Sequence, residues 1–416
     1  MIDYRRYTLP NGLRVIHNFD PSTSVVAVDV LYNTGARDER RSLTGIAHLF
    51  EHLMFGGSVN VPDFDLELSD AGGESNAWTS NDFTNFYEVL PAANIETALH
   101  LESDRMLRLS FSEEALNVQR SVVIEEFKQQ CLNRPYGDLM HGLRSMVYSP
   151  EHPYSWPVIG IEPSHIAAVT NDDVRAWFHS HYAPNNAMLA IAGNLPYDEG
   201  RRLVEKWWSD VPARDIAPRA LPAPGFPTET VRKTMHGDVP CAMLVMAFPM
   251  AGYGDRTYFV DDCITDLLSA GRSSRIFRNI VADGDGSIIE ADASIVGSEG
   301  PGMLMMTARV ANTSALAAAE ENLMKQLALL AEPGNVTPHE LARTFNRFES
   351  TFSFSLYDAG SKAAALALAE MHGEDINANV ARQRTITVDE IAAESQRLLA
   401  SPRAVLHYLP APDRVD

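Results

Sequence analysis

Ile46, Leu49, Phe50, Leu53 and Met54 recur at the three- and four-residue spacing of one helix face. His48, Glu51, His52 and Phe55 fall on the opposite face. Thr44 is placed as the N-cap of this helix and Gly56-Gly57 as its stop. Helical patterns also cover 91–109, 112–132 and 171–181. Strand patterns cover 4–8, 13–17, 25–32, 76–79, 87–90 and 187–192, and Asn11-Gly12 supplies the turn between the first two. Hairpins mixed with long helices predict an α+β fold, with antiparallel-rich sheets packed with helices, not a repeating βαβ array.

Pro218, Pro222, Pro224 and Pro227 mark a linker at 214–227, between domains at 1–213 and 228–416. A strand over 239–248, a helix over 258–268 and a turn at 271–274 follow it. That order echoes the first half, and His52-Leu53-Met54-Phe55-Gly56-Gly57-Ser58 aligns with Asp266-Leu267-Leu268-Ser269-Ala270-Gly271-Arg272. Under this duplication His48, Glu51 and His52 correspond to Asp262, Thr265 and Asp266, so the second copy lacks the first copy's chemistry.

The 416 residues, 45% of them apolar, can bury a large core without covalent staples. With 34 basic and 55 acidic residues the formal net charge is −21, which argues against nucleic acid as a partner. Three scattered cysteines cannot form a disulfide framework, so a reducing compartment is the default. No apolar run follows Arg5-Arg6 as in a signal peptide, and no uncharged stretch approaches about 18 residues. The expectation is a cytoplasmic protein, or a periplasmic one if a leader has been removed, with no membrane span.

His48-Leu49-Phe50-Glu51-His52 carries the sharpest chemistry. Two imidazoles four residues apart can grip one Zn²⁺ from a single helix face, and Glu51 projects beside them where it can activate a water. A catalytic zinc needs a third protein ligand. The helix over 112–132 offers Glu126, which shares a face with Val122 and Val123, so its carboxylate is partly buried and needs a cation or hydrogen-bond partner. Glu125, on the more polar face, is the fallback. His179 and His181 read as cap or surface groups, and His100, Glu102 and Asp104 as a solvated helix face.

Together these residues resemble the M16 family of metallopeptidases, the inverzincins that include pitrilysin and the mitochondrial processing peptidases. The resemblance rests on His48–His52, on Arg120-Ser121-Val122-Val123-Ile124-Glu125-Glu126, on Gly72-Gly73-Glu74-Ser75-Asn76-Ala77-Trp78-Thr79 and on Leu9-Pro10-Asn11-Gly12-Leu13. A looser match lies at Gly271-Arg272-Ser273-Ser274-Arg275-Ile276-Phe277. It implies two homologous domains of the LuxS/MPP-like metallohydrolase type, one Zn²⁺ per chain held by His48, His52 and Glu126, and Glu51 as general base. It also implies that Asn76, Ala77, Trp78 and Thr79 bind extended peptide by strand addition, inside a chamber.

Two positions depart from the family pattern. Gln119 stands where the family often has a Glu that tunes the metal from behind its ligands. Val281 and Ile288 stand where an Arg and a Tyr usually hold substrate. The resemblance then implies a heterodimer whose second M16-like subunit supplies the Arg/Tyr pair, with a homodimer as the alternative. A noncatalytic assembly subunit of the same fold is the competing reading.

Overall fold

The computed structural model describes residues 1–411. The chain begins with β1 (Arg5–Thr8), β2 (Arg14–Phe19), β3 (Val25–Tyr32), α1 (Ile46–Leu53) and α2 (Phe64–Asp70). It continues through β4 (Glu74–Thr79), β5 (Thr84–Pro91), α3 (Ile95–Arg108) and α4 (Glu113–Phe127), which passes into a π-helical turn at Lys128–Leu132. Then come α5 (Leu139–Val147), α6 (Pro163–Ala168), α7 (Asn171–His181), β6 (Ala187–Gly193) and α8 (Tyr197–Trp208). After the proline-rich stretch follow β7 (Val231–Gly237), β8 (Ala242–Met250), α9 (Arg256–Ser269), β9 (Ile288–Val296) and β10 (Gly302–Val310). The chain closes with α10 (Leu316–Ala331), α11 (Pro338–Ser355), α12 (Ala359–His372), α13 (Asn379–Gln383), α14 (Val388–Ala400) and β11 (Ala404–Pro410).

Two compact units result. The first comprises Met1–Glu126, Pro157–Leu221 and Thr351–Asn379, and the second Phe127–Trp156, Pro222–Ser350 and the chain from Val380. The break at Leu221/Pro222 falls inside the expected linker, but each unit also takes a segment from the other half of the sequence. The reason is packing. In the first unit α12 lays Ala359, Ala363, Leu366 and Ala367 against Ala27, Leu31, Met188 and Ala190 of the sheet. In the second, α5 packs on β8 and β11, and Gly142 sits so close to Met235 that a Cβ there would meet its sulfur at 2.2 Å. A sheet face needs a cover, and small-residue helices from distant sequence supply it.

The first sheet has the order β1-β2-β6-β3-β5-β4, and the second β7-β11-β8-β10-β9. Each holds one parallel pair, β2 with β6 and β7 with β11, and is otherwise antiparallel. The other face of the first sheet buries Val26, Val28 and Val30 against α1, α3, α7 and α8 through Ile46, Leu49, Phe50, Leu99, Phe178 and Val204. In the second unit Leu244, Met246 and Phe248 pack with Cys263, Ile264 and Leu267 of α9.

Phe55, just beyond the end of α1, is half-buried against Phe64 and Phe86. One expectation about α3 needs correction. Glu102 and Asp104 are not solvated. Glu102 is fully buried and paired with Arg105, while Asp104 accepts from Ser58 Oγ and, at 2.6 Å, from Asn60 Nδ2. Polar partners brought in by tertiary structure turned an apparently wet helix face inward.

Candidate metal centre

α1 starts abruptly. Gly45 at its N-terminus has φ +88°, and its side-chain-free cap leaves the first amides without a local acceptor. Glu39 supplies one. Its buried Oε1 accepts from the N–H groups of Gly45 and Ala47, both at 3.0 Å. A carboxylate there also suits the positive end of the helix. Thr44, expected as the cap, instead accepts from Ile161 N–H at 2.9 Å and meets His165 Nδ1 at 2.8 Å. The apolar face is buried as the periodicity predicts, and His48, Glu51 and His52 stay on the half-exposed side.

α4 is capped by Ser112, whose Oγ accepts from Ala115 N–H at 3.0 Å. It delivers Glu126 to the two imidazoles. The Nε2 atoms of His48 and His52 are 3.3 Å apart, and Glu126 Oε2 lies 3.7 and 3.5 Å from them. Donors about 2.0–2.1 Å from a tetrahedral Zn²⁺ are about 3.4 Å from one another, so this triangle has the dimensions of one face of such a site. These three residues form the one group of His, Cys, Asp and Glu side chains with metal-binding spacing among the described residues. Burial, with the neighbouring His52 second, pushes His48 down to about 4 and keeps it the neutral ligand form. Its Nδ1 is buried without a hydrogen-bond partner. The donor chemistry and the spacing both fit zinc.

Glu51 is a half-buried carboxyl beside this triangle. Burial pushes it up to about 7, a hydrogen bond from Thr79 opposes that, and Glu126 adds to it. Thr79 Oγ1 donates to Glu51 Oε2. Thr79 ends β4, the edge strand of the sheet, which among the described residues pairs only with β5 and places Thr79 opposite Thr84. Along β4 the side chains alternate. Glu74, Asn76 and Trp78 are exposed, with Trp78 at 39%, while Ala77 and Thr79 are half-buried on the other face. Asn76 Oδ1 accepts from Ala77 N–H at 2.8 Å.

Glu125 is exposed and lies outside the donor triangle. Gln119 is half-buried two turns before Glu126, and among the described residues no hydrogen bond joins it to either imidazole. Val281 lies in a π-helical turn and Ile288 is buried at the start of β9. Asp262 and Asp266 sit on α9 of the second unit, and burial raises both. His181 packs on Trp177 at 4.3 Å.

Sequence reasoning missed Glu39 and a buried charge cluster. Arg105 donates to Glu102 and reaches Glu88 Oε1 at 3.4 Å, between the rings of Phe55, Phe64 and Phe86. Asp29 accepts from Asn85 in the same core. The available signal was Glu102 and Arg105 at i, i+3 between Leu101 and Met106.

Residues 14–142 match the family described as Insulinase (Peptidase family M16), and residues 168–348 the Peptidase M16 inactive domain. The chain is 28% identical over 360 residues to an uncharacterized zinc protease, YmxG, of Bacillus subtilis, covering 86% of each protein. It is 30% identical over 290 residues to the zinc protease PqqE of Helicobacter pylori, covering 66% of this chain and 63% of that protein. Among solved structures, a protease from Helicobacter pylori superimposes with a TM-score of 0.89 at 24% identity, covering 99% of this chain and all of that one.

Proposed function

The chain belongs to the M16 peptidase family, and from that premise we propose that it is a zinc-dependent endopeptidase. The observation that carries the reading is Glu51, a half-buried carboxyl beside a His-His-Glu triangle of zinc dimensions. His48, His52 and Glu126 would hold the ion, one per chain. Zinc there supplies Lewis-acid polarisation of the scissile carbonyl. Glu51 takes the proton from the water that attacks the carbonyl carbon, and delivers it to the nitrogen of the departing amine as the peptide bond breaks. The unpaired edge of β4 adds an extended substrate as a further strand, with Asn76 and Trp78 reaching its side chains.

Substrate clamping must come from elsewhere, since Val281 and Ile288 offer neither a charge nor a hydroxyl. A second subunit of the same fold supplies it, in a heterodimer enclosing the cleavage chamber. A homodimer is the alternative. The same two apolar residues favour a second reading, a noncatalytic assembly subunit. A base beside three donors argues against that, because a scaffold has no use for it.

Glu51→Gln separates the readings. The peptidase reading expects zinc content to stay at one per chain while cleavage of unstructured peptides is lost. Hydrolysis equal to wild type removes Glu51 from the role. Full turnover by the isolated wild-type chain removes the need for a partner.

A further inference from the structure

Thr79 belongs to the expected peptide-binding strand, yet its side chain is engaged elsewhere. Among the described residues the Glu51 side chain has one hydrogen-bond partner, and it is the Thr79 hydroxyl. Donor and acceptor come from different elements, the last residue of β4 and the last turn of α1. A β-branched residue in a strand has a restricted χ1, so this hydroxyl is held in place by the backbone that carries it. With Oε2 occupied, one carboxylate oxygen is left to receive a proton.

We infer that Thr79 is a positioning residue for the general base: its hydroxyl pins Glu51 in one rotamer and ties the base to the strand on which substrate docks. The inference rests on the reading of Glu51 as base. It separates two functions along β4. The exposed side chains of Asn76 and Trp78 serve binding, and the inward Thr79 serves the chemical step. Because peptide would add to the same strand, ordering of β4 by substrate passes directly to the base.

The test compares Thr79→Val, which keeps the shape and loses the hydroxyl, with Thr79→Ser, which keeps the hydroxyl. Each is measured for zinc content, for kcat and KM on peptides, and for the Glu51 conformation in a crystal structure. Thr79→Val is expected to keep its zinc and its KM within about two-fold, to lower kcat about ten-fold or more, and to leave Glu51 in several rotamers. Thr79→Ser is expected to recover most of the rate and a single Glu51 position. Equal behaviour of the two variants overturns the inference, as does an unmoved Glu51 in Thr79→Val. Glu51→Gln separates the levels. If it is inactive while Thr79→Val is normal, only the Thr79 inference fails. If it is fully active, the base reading fails and the inference with it.

Discussion

Replacing Arg105 with methionine tests how far the first unit's stability rests on a buried charge cluster. Arg105 is 1% exposed and pairs with Glu102 and Glu88, beside which Asp29 adds a third carboxyl group; all three are fully buried. Its Nε donates to Glu102 Oε2 at 3.0 Å and its Nη2 to both Glu102 and Glu88. Its guanidinium carbon stands 4.5 Å from the Phe86 ring centre and 4.6 Å from that of Phe64. One cation cannot neutralise three carboxylates. Burial accordingly raises Glu88, with Glu102 adding to it, and pushes Asp29 up to about 8. Methionine fills much of the space but leaves Glu102 without its counter-charge. Removing one partner of a buried pair costs about 3–5 kcal/mol. At about 1.4 kcal/mol per decade, that is a two- to four-decade loss in the folding constant. Urea unfolding followed by tryptophan fluorescence suits the test, because Trp78, Trp177, Trp207 and Trp208 all lie in the first unit. Arg105→Met is expected to move the first unit's transition to much lower urea. Adding Glu102→Leu is expected to recover most of the loss, since a well-packed apolar substitute for a buried pair is often neutral. A single-variant loss below about 1 kcal/mol refutes the argument.

Asp29 makes the same core sensitive to pH. Its folded value, about 8, lies above the unfolded value of about 3.9. Its stabilising contribution is therefore complete below pH ~4 and is lost as pH rises towards 8. Wild-type stability should fall between pH 5 and 8.5, and Asp29→Asn should flatten that slope; parallel slopes contradict the assignment. Glu126→Ala removes one vertex of the donor triangle, and competition with a chromogenic chelator should show zinc affinity falling more than about 100-fold, beyond the effect of losing a group that merely supports a ligand. An affinity within ten-fold of wild type sinks Glu126 as a ligand.

The grouping of the candidate ligands was legible because helix periodicity is rigid. A four-residue spacing must bring His48 and His52 to one face, and buried Val123 marked Glu126, not Glu125, as the carboxyl held near other groups, although Val122, read as apolar on that same face, is 45% exposed. Many strands and helices of the first unit followed from turn residues and periodicity, as did β8 and α9 of the second, whereas β7 and the elements after α9 were not read from the sequence. Features set by contact between distant segments were not legible. Glu39 caps α1 across an intervening loop, a distance no local capping rule spans. Glu102 and Asp104 look like surface acids until Arg105, Ser58 and Asn60 close around them. α5 and α12 each cover a sheet of the unit belonging mainly to the other half, and nothing in their own periodicity names that sheet. Thr79 sat in the strand expected to bind peptide, but only the structure turns its hydroxyl to Glu51.

The most direct test of zinc-dependent peptide hydrolysis is cleavage of an unstructured peptide before chelation, after it, and after metal is returned. The expected result is slow cleavage by the isolated chain, abolished by chelation and restored at about one equivalent of Zn²⁺ per chain. Cleavage that survives complete removal of metal contradicts the account.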